Sequence, residues 1–130
     1  EAVRICQRSF PGDKTKQFSL LTNYDGSRYD MALSVDVVYH LIEDNVFEDH
    51  MTKLFDSALR YVVIYSSNQE LQYEGQRQHV RHMKFTEWVE RNAKEWQLFL
   101  HEKNRYPFNL KTQEGSFADF YVFKRKQNIR

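Results

Sequence analysis

Histidine is the side chain whose ordinary pKa lies closest to neutral pH, and this chain of 130 residues carries five. His40 closes a run that leaves an apolar stretch through Ser34, Val35 and Asp36 and then Tyr39. Polar groups emerging from a buried strand must find partners, so this exit reads as functional. His40 can act as a general base there; the competing reading is a histidine that packs or caps to support a loop. Tyr39 either lines a substrate pocket or simply packs. A second exit, Ser66, Ser67 and Asn68, either lines the same pocket or makes an ordinary turn. Further on, His79, Arg81 and His82, with Arg77 and Lys84, form a basic cluster. Arginine grips carboxylate or phosphate bidentately, which suits an anionic ligand, whereas the alternative is a solvated charged loop. No set of Cys or carboxylates accompanies His79 and His82 at ligand spacing, so no metal site is expected. Neither a Ser-His-Asp grouping nor a phosphate loop is readable.

The elements that must position these groups follow from periodicity. Residues 29–35 and 61–65 are apolar runs suited to buried strands, separated by an amphipathic segment at 46–59. Its apolar members Val46, Phe47, Met51, Leu54, Phe55, Ala58 and Leu59 fall at helical spacing. Strand, helix, strand is a right-handed crossover unit whose strands lie parallel, with ligands expected outside their carboxyl ends. That brings the exits at 34–40 and 66–68 side by side. Before this unit, residues 1–10 read as the last turns of a helix stopped by Pro11-Gly12, and 17–21 as a short strand. After it, residues 69–82 are too polar and too long for a plain connection and read as a lid or binding loop, with Arg81 and one of the two histidines facing inward. Thr86 is expected to cap a helix at 87–94. Strands at 96–101 and 117–124, joined without a helix, form an antiparallel pair. The fold class is therefore α/β, a mostly parallel sheet with one antiparallel edge hairpin, its last strand between 61–65 and 96–101.

Composition sets the outer limits. Ten Phe and eight Tyr belong to a folding chain, and a formal net charge of +1 gives no global field to attract nucleic acid. The one local excess, Lys124-Arg125-Lys126 with Arg130, reads as a solvated tail, with nucleic-acid contact through it and the loop as a third, weaker alternative. A single cysteine, Cys6, excludes an internal disulfide and suits a reducing, cytoplasmic setting. No apolar run approaches the ~20 residues of a membrane helix, so no membrane partner is expected. Residues 1–130 read as one incomplete domain: the chain opens at Glu1 already in helix-like sequence, as if cut from something longer.

The stretch from Tyr29-Asp30-Met31-Ala32-Leu33-Ser34-Val35 through Asp36-Val37-Val38-Tyr39-His40-Leu41 resembles the fourth strand and its continuation in class I S-adenosyl-L-methionine (SAM)-dependent methyltransferases. The following helix with Tyr61-Val62-Val63-Ile64-Tyr65, and the closing hairpin, resemble the C-terminal part of that Rossmann-like fold. The resemblance implies SAM as cofactor and methyl transfer to an unidentified small or medium-sized acceptor. Thr22 and Asn23 would reach the adenine, or else form a surface turn. Ser34, Val35 and Asp36 would pass the methionine part. The resemblance puts His40 where the family often has a histidine, and Tyr39, Ser66, Asn68, His79, Arg81 and His82 would bind the acceptor. The family's Gly-rich loop is absent, because the four glycines are scattered, and so is its ribose-binding acidic residue. Half a cofactor site is thus implied, completed by a missing N-terminal segment or a partner chain. The alternative is a non-catalytic scaffolding piece that pairs with another chain.

Overall fold

The computed structural model describes residues 1–71 and 73–127; Gln72 of the polar loop and Arg130 of the basic tail lie outside the described residues. In order the elements are α1 (Ala2–Ser9), β1 (Tyr29–Val35), α2 (Asp44–Asp56), β2 (Ala58–Ser66), α3 (Phe85–Asn92), β3 (Trp96–Glu102) and β4 (Asp119–Arg125), with 3-10 turns at Leu21–Asn23 and Val38–His40. The sheet order is β1-β2-β4-β3. β1 and β2 are parallel, and β4 runs antiparallel to both β2 and β3. Three strands therefore share a direction, and the β3–β4 hairpin supplies the one reversed strand.

Helix α2 buries Phe47, Met51, Leu54 and Phe55, spacings of four, seven and eight that make one face. That face lies on β1 and β2, while α3 adds Phe85, Trp88 and Val89 near β3. Strands answer by alternation: Val62 and Ile64 of β2 and Tyr121 and Phe123 of β4 point into this layer. Phe55 meets Trp88, Trp96 and Phe123 at ring separations of 6.1, 5.5 and 5.6 Å. Burying such side chains stabilises the layer by about 1.5–3 kcal/mol each.

Four boundaries differ from the sequence expectations. Residues 17–21 form no strand: Phe18 stacks on Phe10 and its carbonyl accepts from the Gln7 side chain, so the segment is held by α1 rather than by a sheet edge. Ala58 and Leu59 belong to β2, not to the preceding helix. The Ser57 N–H still closes the helix on the Lys53 carbonyl, while the Ser57 carbonyl already accepts from Tyr29 N–H, the amide opening β1, so one residue makes the turn. Helix α3 starts before Thr86, whose N–H is accepted by Asn68 Oδ1 at 3.1 Å; the cap comes from another loop and not from Thr86. The last strand begins at Asp119 rather than 117.

Candidate functional site

The chain leaves β1 by a sharp turn. Asp36 has φ +62°, a left-handed conformation that Asp tolerates better than most residues, and its N–H still reaches the Tyr65 carbonyl at 3.0 Å. The ladder with β2 thereby extends one residue beyond the strand. Val38, fully buried, then pins a 3-10 turn, and Tyr39 and His40 are carried out over the carboxyl edge. The Tyr39 hydroxyl donates to the Asp36 carboxylate. Burial, and then that carboxylate, hold the phenol above its usual pKa, so Tyr39 is a fixed donor and not a base.

The polar loop is tied to this edge. Arg81 N–H donates to the Tyr39 carbonyl at 2.7 Å, and the His40 ring shares Nδ1 with the His79 carbonyl at 3.0 Å. A carbonyl only accepts, so Nδ1 of His40 carries the proton. The His40 and His79 rings stack at 5.4 Å. His82, only 8% exposed, sits deepest. Its Nδ1 lies 2.7 Å from the Oγ of buried Ser67, while its Nε2 has no partner among the described residues. Burial pushes His82 below the usual histidine pKa, because the charged ring loses its hydration there.

Opposite the histidines stands an aromatic wall from the link before β4. Phe108 stacks on Phe117 at 4.0 Å, and Tyr73 closes on both at 5.8 and 5.3 Å. Gly115 makes this wall fit: an added Cβ would lie 2.4 Å from the Pro107 carbonyl oxygen, so the two arms of the link can meet only around glycine. Together these groups enclose a cavity of about 450 Å³, lined by Tyr39, His40, Tyr73, Arg77, His79, His82, Phe108 and Phe117 among others.

The structure thus gathers Tyr39, His40, Arg77, His79 and His82 and leaves the remaining expected residues elsewhere. Arg81 does not face inward. Its guanidinium donates to the Ile42 carbonyl and to Asp44, both at 2.6 Å, because those acceptors at the start of α2 lie on the outer side of the loop. Asn68 is engaged with Thr86 at the cap of α3. Ser66 is wholly buried and lines no part of the cavity. Ser34 is 2.9 Å from His50 Nε2 under α2, whereas Val35 and Asp36 are exposed at the strand end. Thr22 and Asn23 are not brought near them: their neighbours Leu21 and Tyr24 line a separate pocket with Tyr29, Met31 and Ser57, towards the amino end of β1. Among the described residues no group of three or more His, Cys, Asp or Glu could hold a metal ion. Sequence reading missed Tyr73, Phe108 and Phe117. The available signal was an aromatic residue on each arm of a link whose ends are Pro107-Phe108 and Gly115-Ser116-Phe117.

No family model matches this sequence, and no curated protein does. Solved structures do. The magnesium protoporphyrin IX methyltransferase ChlM from Synechocystis PCC 6803, with bound SAM, superposes with a TM-score of 0.61 at 13% identity over 97% of this chain. The methyltransferase domain of bacterial CtHen1-C gives 0.51 at 18% identity over 78% of the chain, and the small RNA methyltransferase HEN1 gives 0.55 at 12% over 85%. The chain has the class I methyltransferase fold. It spans about half the length of the first two, 53% and 54%, and 16% of the third. Within the methyltransferase fold, the cavity lies where the parallel pair β1–β2 ends, the edge at which open α/β sheets bind ligands.

Proposed function

We propose that this chain is the acceptor-binding half of a SAM-dependent methyltransferase acting on a small or medium-sized molecule, working in the cytoplasm. The observation that carries this reading is the unpartnered Nε2 of buried His82 inside a cavity at the carboxyl edge of a methyltransferase-type sheet. SAM, when bound, supplies a methyl group on a sulfonium. The residues present fit that cofactor only in part. Val35 and Asp36 offer an open strand end, but three of the glycines have no neighbouring atoms within 4 Å of an added Cβ and the fourth serves the aromatic wall, so none forms a cradle. The remainder of the cofactor site is assigned to a further segment or a partner chain.

The chain's own residues would then do three things. The aromatic wall orients the acceptor, and the loop bearing His79 and His82 excludes water. His82 Nε2 takes the acceptor proton in preference to His40, whose ring is exposed. A positioned base of this kind contributes roughly 10²–10⁴-fold. With a net charge of +1, an extended nucleic-acid acceptor is not favoured.

The test is S-adenosylhomocysteine titrated calorimetrically into this chain and into the product of the complete gene. Weak or undetectable binding to the chain alone and micromolar binding to the complete product are expected. In the complete product, His82→Gln should lower kcat by about 10²-fold. Failure of the complete product to bind would leave the scaffolding reading in its place.

A further inference from the structure

The same cavity specifies what kind of acceptor it takes. Its walls are mostly flat. The stacked Phe108–Phe117 pair forms one side, Tyr73 another, and Tyr39 approaches His82 at 6.4 Å from across the floor. Aromatic faces of this kind hold another planar ring in offset or edge-on contact, and discriminate against puckered rings and chains that cannot present a flat face. The charge is one-sided. Among the described residues that line it there is no Asp or Glu, and Arg77 is the only Lys or Arg. Arg77 is exposed and lines the cavity, so its guanidinium is available to a ligand. At the deep end, His82 Nε2 lacks a partner beside the Phe117 ring, 4.7 Å from His82 centroid to centroid. A buried ring nitrogen of this kind is satisfied by a ligand hydroxyl, which can donate to it or accept from it. The volume, about 450 Å³, suits a molecule of one or two rings.

Resting on the acceptor-half reading above, we infer that the cavity receives a planar aromatic acceptor bearing both a hydroxyl and an anionic substituent. The ring lies against Phe108 and Phe117, the hydroxyl donates to His82 Nε2, and the anion pairs with Arg77.

The probes are 4-hydroxybenzoate, the uncharged 4-hydroxybenzamide and the non-planar anion cyclohexanecarboxylate, each titrated into the 130-residue chain and followed by amide and aromatic NMR shifts. 4-Hydroxybenzoate should bind about tenfold more tightly than either of the others, the scale of one charge-assisted pair. Arg77→Ala, an exposed change that leaves the fold intact by its spectrum, should erase the advantage over 4-hydroxybenzamide and leave the latter's affinity unchanged. Phe117→Leu should weaken both aromatic probes and not cyclohexanecarboxylate. Equal binding of the three probes, an unaltered preference in Arg77→Ala, or no shifts at cavity residues at millimolar concentration would each overturn the inference. These titrations need no cofactor. Their failure, with S-adenosylhomocysteine still bound by the complete gene product, removes the acceptor class alone. The reverse pattern removes methyl transfer and leaves an aromatic-anion site.

Discussion

The two faces of the sheet are built from the same strands and meet different fates. On one, the registered row Ser34–Ile64–Tyr121 is buried beneath the helical layer. One residue along, the row Leu33–Val63–Val122 points the other way, and Leu33 is 60% exposed. The next row on that side, Val35–Tyr65–Phe120, is also left partly open, with Phe120 42% exposed. Helix α1 buries none of its residues. Yet the sequence of β2, Ala58-Leu59-Arg60-Tyr61-Val62-Val63-Ile64-Tyr65-Ser66, is apolar on both faces from Tyr61 to Tyr65, the pattern of a strand covered on both sides. A half-solvated sheet would alternate apolar with polar residues. The sequence therefore provides for two covers while the described residues supply one.

The sharpest way to break this comparison is to truncate one residue from each face. Phe85→Ala removes a fully buried ring between Tyr121 and Phe123 and should cost about 3–5 kcal/mol in urea unfolding. Leu33→Ala on the open face should change stability by no more than about 0.5 kcal/mol. Similar losses at the two positions would mean that the open face is already covered.

Much of the covered face was legible in the sequence. Period-3.6 apolar spacing located α2, because burial of one helix face imposes it, and the continuous apolar runs located β1 and β2. What was not legible depended on partners far along the chain. The cap of α3 is Asn68, 18 residues before Thr86, and no local signal joins them. Residues 17–21 have strand-like composition but find side chains of α1 instead of a ladder. In the site, the histidines could be nominated by type alone. Which of them is buried could not, since that is decided by Ser67 just after β2 and Phe117 just before β4. Arg81 looked like an acceptor ligand because it stands between His79 and His82 in sequence, and Asp44 turned it outward.

A second, smaller effect asks whether the covering layer is held by more than apolar contact. Asn68→Ala leaves the Thr86 N–H at the start of α3 without its acceptor and should cost about 1 kcal/mol. An unchanged urea midpoint would show that water replaces the cap without loss.

The covered face also carries the pH response. His50 meets Ser34 beneath α2, and burial pushes its pKa below the usual 6.5. The unfolded chain thus binds the proton more readily than the folded one. Stability is fully present above about pH 6.5 and falls as pH drops through that value towards the lower folded pKa. His82 adds to the slope in the same direction. His50→Gln should therefore flatten the acid limb of the stability profile, read as urea midpoints between pH 7.5 and about 5. An acid limb as steep as in the parent would assign the response to carboxylates instead.

The smallest effect concerns the tether that joins the polar loop to the covered layer. Arg81 spans from the loop to Ile42 and Asp44 at the start of α2, but the pair is open to water, its carboxylate side chain 83% exposed. Exposed pairs of this kind contribute roughly 0.2–1 kcal/mol. Arg81→Ala should fall in that range. The main-chain bond from Arg81 N–H to the Tyr39 carbonyl does not need the side chain, so the loop should keep its place. The cavity lies on the other side of the loop, and the affinity for 4-hydroxybenzoate should stay within about twofold of the parent, under 0.5 kcal/mol. Hydrogen exchange at Gln76 and Val80, whose N–H groups bond within the loop, should quicken modestly. A tenfold loss of aromatic-anion affinity in Arg81→Ala would turn that side chain inward, and the division between an outer tether and an inner binding wall would no longer hold.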